Sequence, residues 1–137
     1  MSAVTAFALA AALQAGFQVT VTVLVYPALA ARSADEWSAA HLRHSRAITP
    51  VVAVVYGALV VTGVALVVAG PDPAGWVALA SAAAGMGLTA FLAAPAHGRL
   101  FRRDERVLAR LLVTDRWRCA AALVAFVAAA LSVVATG

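Results

Sequence analysis

The sequence predicts an all-α integral membrane protein: a bundle of four transmembrane helices with two short interfacial amphipathic helices. Hydrophobic residues form 64% of the chain and charged residues 12%, against about 25% charged in an ordinary soluble domain. A stretch of about 18 or more apolar residues with few charges is typical of a membrane-spanning helix. Four such stretches lie at residues 3–31, 51–70, 76–94 and 119–135. We expect one domain over residues 1–137, with the fourth helix running over about 116–136.

The positions of the basic residues predict the orientation of the chain. All ten are arginine, and all lie in the links that follow the first and third stretches. Helix alternation places these two links on one side, and an excess of arginine marks the cytoplasmic side. We therefore expect a multi-pass protein of the plasma membrane with both termini outside. The net charge of +4 then reflects topology and anionic lipid, so a nucleic-acid partner is not expected.

The links themselves predict the two interfacial helices. In the first link, Ser33 and Glu36 fit a capping box, and Pro50 should end or kink the helix, which gives residues 34–48. The second amphipathic helix covers residues 101–113, where leucine and arginine alternate. Its arginines are expected to bind lipid headgroups: Arg102, Arg103, Arg106 and Arg110. The Pro- and Gly-rich connection over residues 70–75 predicts that helices 2 and 3 pack as an antiparallel hairpin.

A stripe of polar residues runs along the first helix, with one residue every four: Gln14, Gln18, Thr22 and Tyr26. Polar groups facing lipid are costly, so the stripe should face the bundle interior. It either makes hydrogen bonds between helices or lines a polar pocket together with Tyr56 and Trp37. Asp115 and the arginines beside it are expected to flank the fourth helix at the headgroups. Spans without ionisable residues argue against an ion pump or a proton-coupled carrier.

The three histidines are the main candidates for chemistry. His41 and His44 are spaced by three, so they share one helical face, and His97 follows the third helix on the same side of the membrane. Imidazole binds Zn, Cu and Fe and also transfers protons near neutral pH. The three could hold a transition metal (Cu, Fe or Zn), act as acid and base, or simply contact headgroups and water. The cofactor stays open at this point.

Several short motifs together resemble a known group. They are Tyr26-Pro27, the Trp37–His41–His44 face, residues 46–50, residues 95–100 and residues 114–118. The chain resembles small actinobacterial four-helix membrane proteins and is more distantly similar to the anthrone-oxygenase-like membrane family. That resemblance implies oxidation of a lipophilic aromatic polyketide. It also places His97 and Asp115 where that family tends to have Asn, and Arg118 where it has Arg.

Three functions follow as hypotheses. The first is a small membrane enzyme, oxygenase-like, that acts on a lipophilic substrate (an aromatic polyketide or an isoprenoid-like molecule) with a catalytic cluster of His41, His44 and His97. Cyclisation or isomerisation could use the same groups. The second is a non-catalytic membrane accessory subunit, for which the small residues over 80–87 would allow close helix packing or a homo-oligomer. The third is a haem- or copper-handling bundle.

Overall fold

The computed structural model describes residues 1–136, and almost all of them are helical. Four helices are long and apolar enough to cross a membrane: α1 (Ala3–Ala30), α2 (Ala34–Ala69), α3 (Pro73–Arg99) and α4 (Glu105–Thr136). The prediction of an all-α fold with four such helices is confirmed. The connections between the helices are short.

The two interfacial helices are not separate elements, so that part of the prediction is wrong. Residues 34–48 form the first turns of α2, which continues through Pro50 to Ala69. Pro50 lacks only the one N–H that would bond to the Arg46 carbonyl, and the helix tolerates that loss. Residues 105–113 likewise begin α4 and run on without interruption. Nothing between Val113 and Asp115 breaks a helix, because the segment contains neither Gly nor Pro.

The beginnings of these two helices are set by polar residues. Ser33 occupies the N-cap of α2 as predicted, but its side chain makes no capping hydrogen bond. Glu36 instead lies 3.9 Å from Arg32, so the predicted capping box is not formed. At α4, Asp104 accepts hydrogen bonds from the backbone N–H groups of Arg106 and Val107 at 2.9 and 3.1 Å. These bonds satisfy donors that the first helical turn leaves free.

Helix α4 is the centre of the bundle, because α1 and α3 both pack on it while α2 packs on α1. The small residues at the α3–α4 contact let the two backbones approach closely: Ala78, Ala82, Ala122, Ala125 and Ala129 are all nearly or fully buried. Ala82 and Gly85, which belong to the run of small residues over 80–87, are buried inside the bundle. Helices α2 and α3 touch little despite their short connection, so the hairpin prediction is wrong. A seam stays open between them.

Helices α1 and α3 each contain one wide turn of π-helix. The turns lie at Val21–Val25 and Thr89–Ala93, and each is followed within two residues by a proline, Pro27 or Pro95. A proline cannot donate to the preceding turn, and a π-helical turn accommodates the mismatch in hydrogen bonding. Both wide turns face the same end of the bundle. One ends directly before Tyr26 and the other four residues before His97.

The connection between α2 and α3 yields a prediction on acid stability. Asp72 accepts hydrogen bonds from the Ser132 hydroxyl and from the Gly75 backbone N–H, and these bonds hold the pKa of Asp72 below its ordinary value. A lowered pKa means that the ionised form stabilises the fold at neutral pH and that this stabilisation is lost as the pH falls through the folded-state pKa. We expect the thermal unfolding temperature to decrease as the pH is lowered below about 4. Asp72→Asn should abolish the part of this decrease that protonation of Asp72 causes. A wild-type-like acid profile in Asp72→Asn would contradict it.

Candidate functional site

A chain of hydrogen bonds joins Tyr26, His97 and His41 at one end of the bundle. The Tyr26 hydroxyl lies 2.8 Å from His97 Nε2, and His97 Nδ1 lies 3.1 Å from His41 Nε2. A neutral imidazole has one donor and one acceptor nitrogen. The two hydrogen bonds can therefore run in either direction. Either Tyr26 donates to His97 and His97 donates to His41, or His41 donates to His97 and His97 donates to Tyr26. Three side chains from α1, α3 and α2 thus form one route for a proton.

The outer end of this chain is held by Trp37. Its indole N–H donates to the Leu100 carbonyl at 2.8 Å, and its ring stacks on His41 with a centroid distance of 5.5 Å and an interplanar angle of 16°. Trp37 and Leu100 are both fully buried. Beyond His41 lies a small cleft of about 160 Å³ whose rim includes Ser38, Gly98 and Phe101. His97 lines the same cleft, so the chain reaches the surface at that point.

The third histidine lies beside this chain without being part of it. The His44 ring is 5.8 Å from the His97 ring and 6.0 Å from the Tyr26 ring, centroid to centroid. Its Nε2 is buried and has no hydrogen-bond partner among residues 1–136. The structure therefore brings all three predicted histidines together but joins only two of them.

The three imidazoles do not have the arrangement of a metal site. His41 and His97 face each other at 22° between ring planes and direct a nitrogen at one another, whereas ligands of one ion must direct their lone pairs at a common point. Over residues 1–136, no group of three or more His, Cys, Asp or Glu side chains is placed to hold a metal ion. A Cu, Fe or Zn centre stays a prediction that this geometry does not favour.

The inner end of the chain opens into a cavity of about 310 Å³. The wall of the cavity is mostly apolar, and its polar groups come from Tyr26, His97 and Arg118 and from the hydroxyls of Ser45, Thr49 and Thr89. Its lining comes from all four helices, and the two wide turns contribute Val21, Thr89 and Ala93. The other residues of the wall are Phe17, Ile48, Val52 and Ala94. An apolar cavity with a few convergent polar groups is the usual form of a small-molecule site.

Asp115 and Arg118, which the sequence predicts to flank the fourth helix at the headgroups, form an ion pair inside the bundle. Asp115 is 1% and Arg118 4% exposed, and Arg118 Nη1 lies 3.4 Å from Asp115 Oδ1. The Gln18 amide and the Thr22 hydroxyl each donate to Asp115 at 2.6 Å. The expectation that both residues merely flank the fourth helix at the headgroups is therefore wrong, because both side chains are buried in the bundle. Because α4 begins at Glu105, both lie well inside a continuous helix.

Four of the predicted lining residues are buried and two, Thr22 and Tyr56, are half-buried, and the six have different roles. Only Tyr26 lies on the wall of the cavity. Gln18 and Thr22 hold Asp115, while the Tyr56 hydroxyl lies 2.6 Å from Thr89 Oγ1, across the seam between α2 and α3. Gln14 is fully buried, and its amide has no partner among residues 1–136. Trp37 packs behind His41 and outside the cavity.

The arginines predicted to bind headgroups divide into two kinds. Arg102, Arg106 and Arg110 are exposed, as contact with lipid phosphates requires, and that role stays a prediction. Arg103 is partly buried: it lies over the Trp37 ring at 5.5 Å and donates to Glu105 and to the Arg32 carbonyl. Arg103 therefore ties the two arginine-rich links together over the site.

The chain has no match among protein-family models, curated proteins or solved structures. The resemblance to the anthrone-oxygenase-like family therefore stays an expectation.

Proposed function

We propose that this protein is a small membrane enzyme that transfers a proton to or from a lipophilic substrate bound in the cavity between the helices. The observation that carries the proposal is the continuous contact Tyr26–His97–His41, with one end in an apolar cavity and the other at a surface cleft. General acid–base groups must lie within hydrogen-bond reach of the proton they move. Tyr26 and His97 line the cavity, so a substrate bound there would lie beside both.

The step that these residues support is proton abstraction from an enolisable or phenolic substrate. The phenol oxygen of Tyr26 takes the substrate proton while its own proton passes to His97 Nε2. The proton on His97 Nδ1 passes to His41 Nε2, which leaves an enolate in the cavity and an imidazolium at the cleft. This abstraction is common to isomerisation, to cyclisation and to an oxygenation in which dioxygen is the co-reactant. Oxygenation, the reaction that the resemblance implies, can therefore begin with the same proton abstraction.

The seam between α2 and α3 gives a lipophilic substrate a direct route to the cavity. Thr49 on α2 and Ala94 on α3 line the cavity and are exposed. Large apolar side chains are also exposed on these helices, among them Val54 and Phe91. Such surfaces suit hydrocarbon, so in a membrane the cavity would open towards lipid. A substrate arriving from the bilayer would need no passage through water.

The proposal includes the orientation expected from the arginines. The four helices cross the plasma membrane, both termini face outward, and the arginine-rich links lie in the cytoplasm. His41 and His97 then lie at the cytoplasmic end, where the cleft beyond His41 can exchange protons with water. Exposed Arg102, Arg106 and Arg110 would contact lipid headgroups there.

Hydrogen–deuterium exchange on a model substrate tests this function directly. The purified protein in lipid nanodiscs would be incubated in heavy water with anthrone, an enolisable and lipophilic ketone, and deuterium at its methylene carbon measured by mass spectrometry. We expect faster exchange than in empty nanodiscs. Tyr26→Phe and His97→Ala should each reduce the protein-dependent rate by about 10²–10⁴-fold, which is the usual contribution of a general acid or base.

A substitution at His44 separates this chain from a three-histidine metal centre. The chain predicts that His44→Ala reduces exchange less than His97→Ala does, whereas a metal held by all three histidines predicts equal losses. Exchange no faster than in empty nanodiscs, or rates unchanged by Tyr26→Phe and His97→Ala, would reject the enzyme. That result would favour the non-catalytic accessory role.

A further inference from the structure

We infer that Arg118 binds a carboxylate, so that the ligand of the cavity is a lipophilic carboxylic acid held as its anion. This inference deepens the proposed function, and it rests on that function only for the statement that the acid is a substrate. Binding itself follows from the surroundings of Arg118.

Arg118 is buried without enough partners for its guanidinium group. The group carries five N–H donors in a planar fork. Among residues 1–136, its hydrogen bonds go to Asp115 Oδ1 at 3.4 Å and to the Tyr56 hydroxyl at 3.5 Å, both at the long limit of a hydrogen bond, and the Tyr26 hydroxyl lies near the same group. Its Nε has no partner there. A buried cation with free donors is costly unless another acceptor reaches it.

Asp115 does not meet this need, because its oxygens are already held by other donors. Gln18 donates to Oδ1 and Thr22 to Oδ2, each at 2.6 Å. These short bonds come from α1 and hold the carboxylate on that side, away from the close approach that a strong pair with Arg118 would need. The guanidinium therefore keeps donors for a second acceptor.

The cavity determines what that acceptor is. Arg118 is the one arginine that lines it, and a planar fork matches the two oxygens of a carboxylate. A phosphate or diphosphate head carries more charge and more oxygens than one arginine satisfies. The mostly apolar wall suits a hydrocarbon or aromatic body attached to a single small charged group. A lipophilic carboxylic acid combines these properties.

A binding experiment with matched arginine variants tests the inference. The protein in nanodiscs would be titrated with tritiated dodecanoic acid, with empty nanodiscs as the blank and methyl dodecanoate as the neutral competitor. Arg118→Gln should weaken binding by about 10- to 100-fold, the usual cost of losing a charge-assisted hydrogen bond. Arg116→Gln is the matched control, because Arg116 is exposed two residues earlier on α4. It should bind like the wild type, and the ester should compete poorly.

Equal affinities of Arg118→Gln and Arg116→Gln, or an ester that competes as well as the acid, would overturn the inference. If Arg118→Gln fails to fold because Asp115 is left unpaired, Asp115→Asn should be compared with Asp115→Asn/Arg118→Gln, which differ only at Arg118. The same fold-change is expected between them. Tyr26→Phe and His97→Ala should keep acid binding while losing exchange on anthrone. If dodecanoate binding does not depend on Arg118 while the protein still speeds exchange on anthrone, only the carboxylate inference is rejected. If binding depends on Arg118 but the protein does not speed exchange, only the proton transfer is rejected.

Discussion

Replacing Asp115 by alanine should destabilise the bundle by about 3–5 kcal/mol, because removing one partner of a buried ion pair leaves an uncompensated charge. Arg118 is 4% exposed and its long contact with Tyr56 cannot replace the lost carboxylate. The substitution also leaves the Gln18 amide and the Thr22 hydroxyl without their shared acceptor. The free energy of unfolding would be measured by titrating the detergent-solubilised protein with SDS and following the loss of helix by circular dichroism.

The double variant Asp115→Ala/Arg118→Met makes this prediction specific to the pair. Removing both charges and keeping an apolar side chain of similar length should recover most of the loss, since a buried ion pair is often replaced by apolar residues at little net cost. Arg116→Met, on the exposed face of the same helix, should change the stability by less than about 0.5 kcal/mol. A loss in the double variant as large as in Asp115→Ala would show that the charge left on Arg118 is not the cause.

The four helices could be predicted because hydropathy is a property of each stretch alone. The bounds of α2 and α4 could not. Pro50 and the charged residues around Asp115 predict ends of spans, but a helix continues wherever its neighbours keep it packed, and one missing hydrogen bond does not stop it. The same limit applies to the hairpin. A short connection fixes how far apart the ends of α2 and α3 are and says nothing about which faces pack.

The candidate site was predicted in part. His41, His44 and His97 do lie together at one end of the bundle, as predicted, and the polar stripe of α1 does face inward. The sequence analysis missed the buried pair of Asp115 and Arg118. The pair could have been found, because Asp115 and Arg118 are three residues apart on one helical face and the amides and hydroxyls of the α1 stripe need a hydrogen-bond partner. A pocket at Tyr26 was predicted, but not its mostly apolar wall, which depends on how far α2 stands from α3.

Trp37 should be the tryptophan whose substitution destabilises the protein most. It is fully buried, whereas Trp76 and Trp117 are 53% and 65% exposed. Trp37→Ala removes a ring that packs against His41 and lies under Arg103, and a buried Trp→Ala substitution costs about 3–5 kcal/mol. Trp37→Phe keeps an aromatic ring but leaves the buried Leu100 carbonyl without its donor, which costs about 1–3 kcal/mol.

The controls for this prediction are Trp117→Phe and Trp76→Phe, which should each change the SDS unfolding free energy by less than about 0.5 kcal/mol. Trp37 also joins the start of α2, which carries His41, to Leu100, three residues after His97. Trp37→Phe should therefore slow exchange on anthrone while leaving Arg118-dependent binding of dodecanoate intact, because Arg118 contacts Asp115 on α4 and Tyr56, which lies nineteen residues beyond Trp37 on α2. If Trp37→Phe proved as stable and as active as Trp117→Phe, the indole would not be what positions His41.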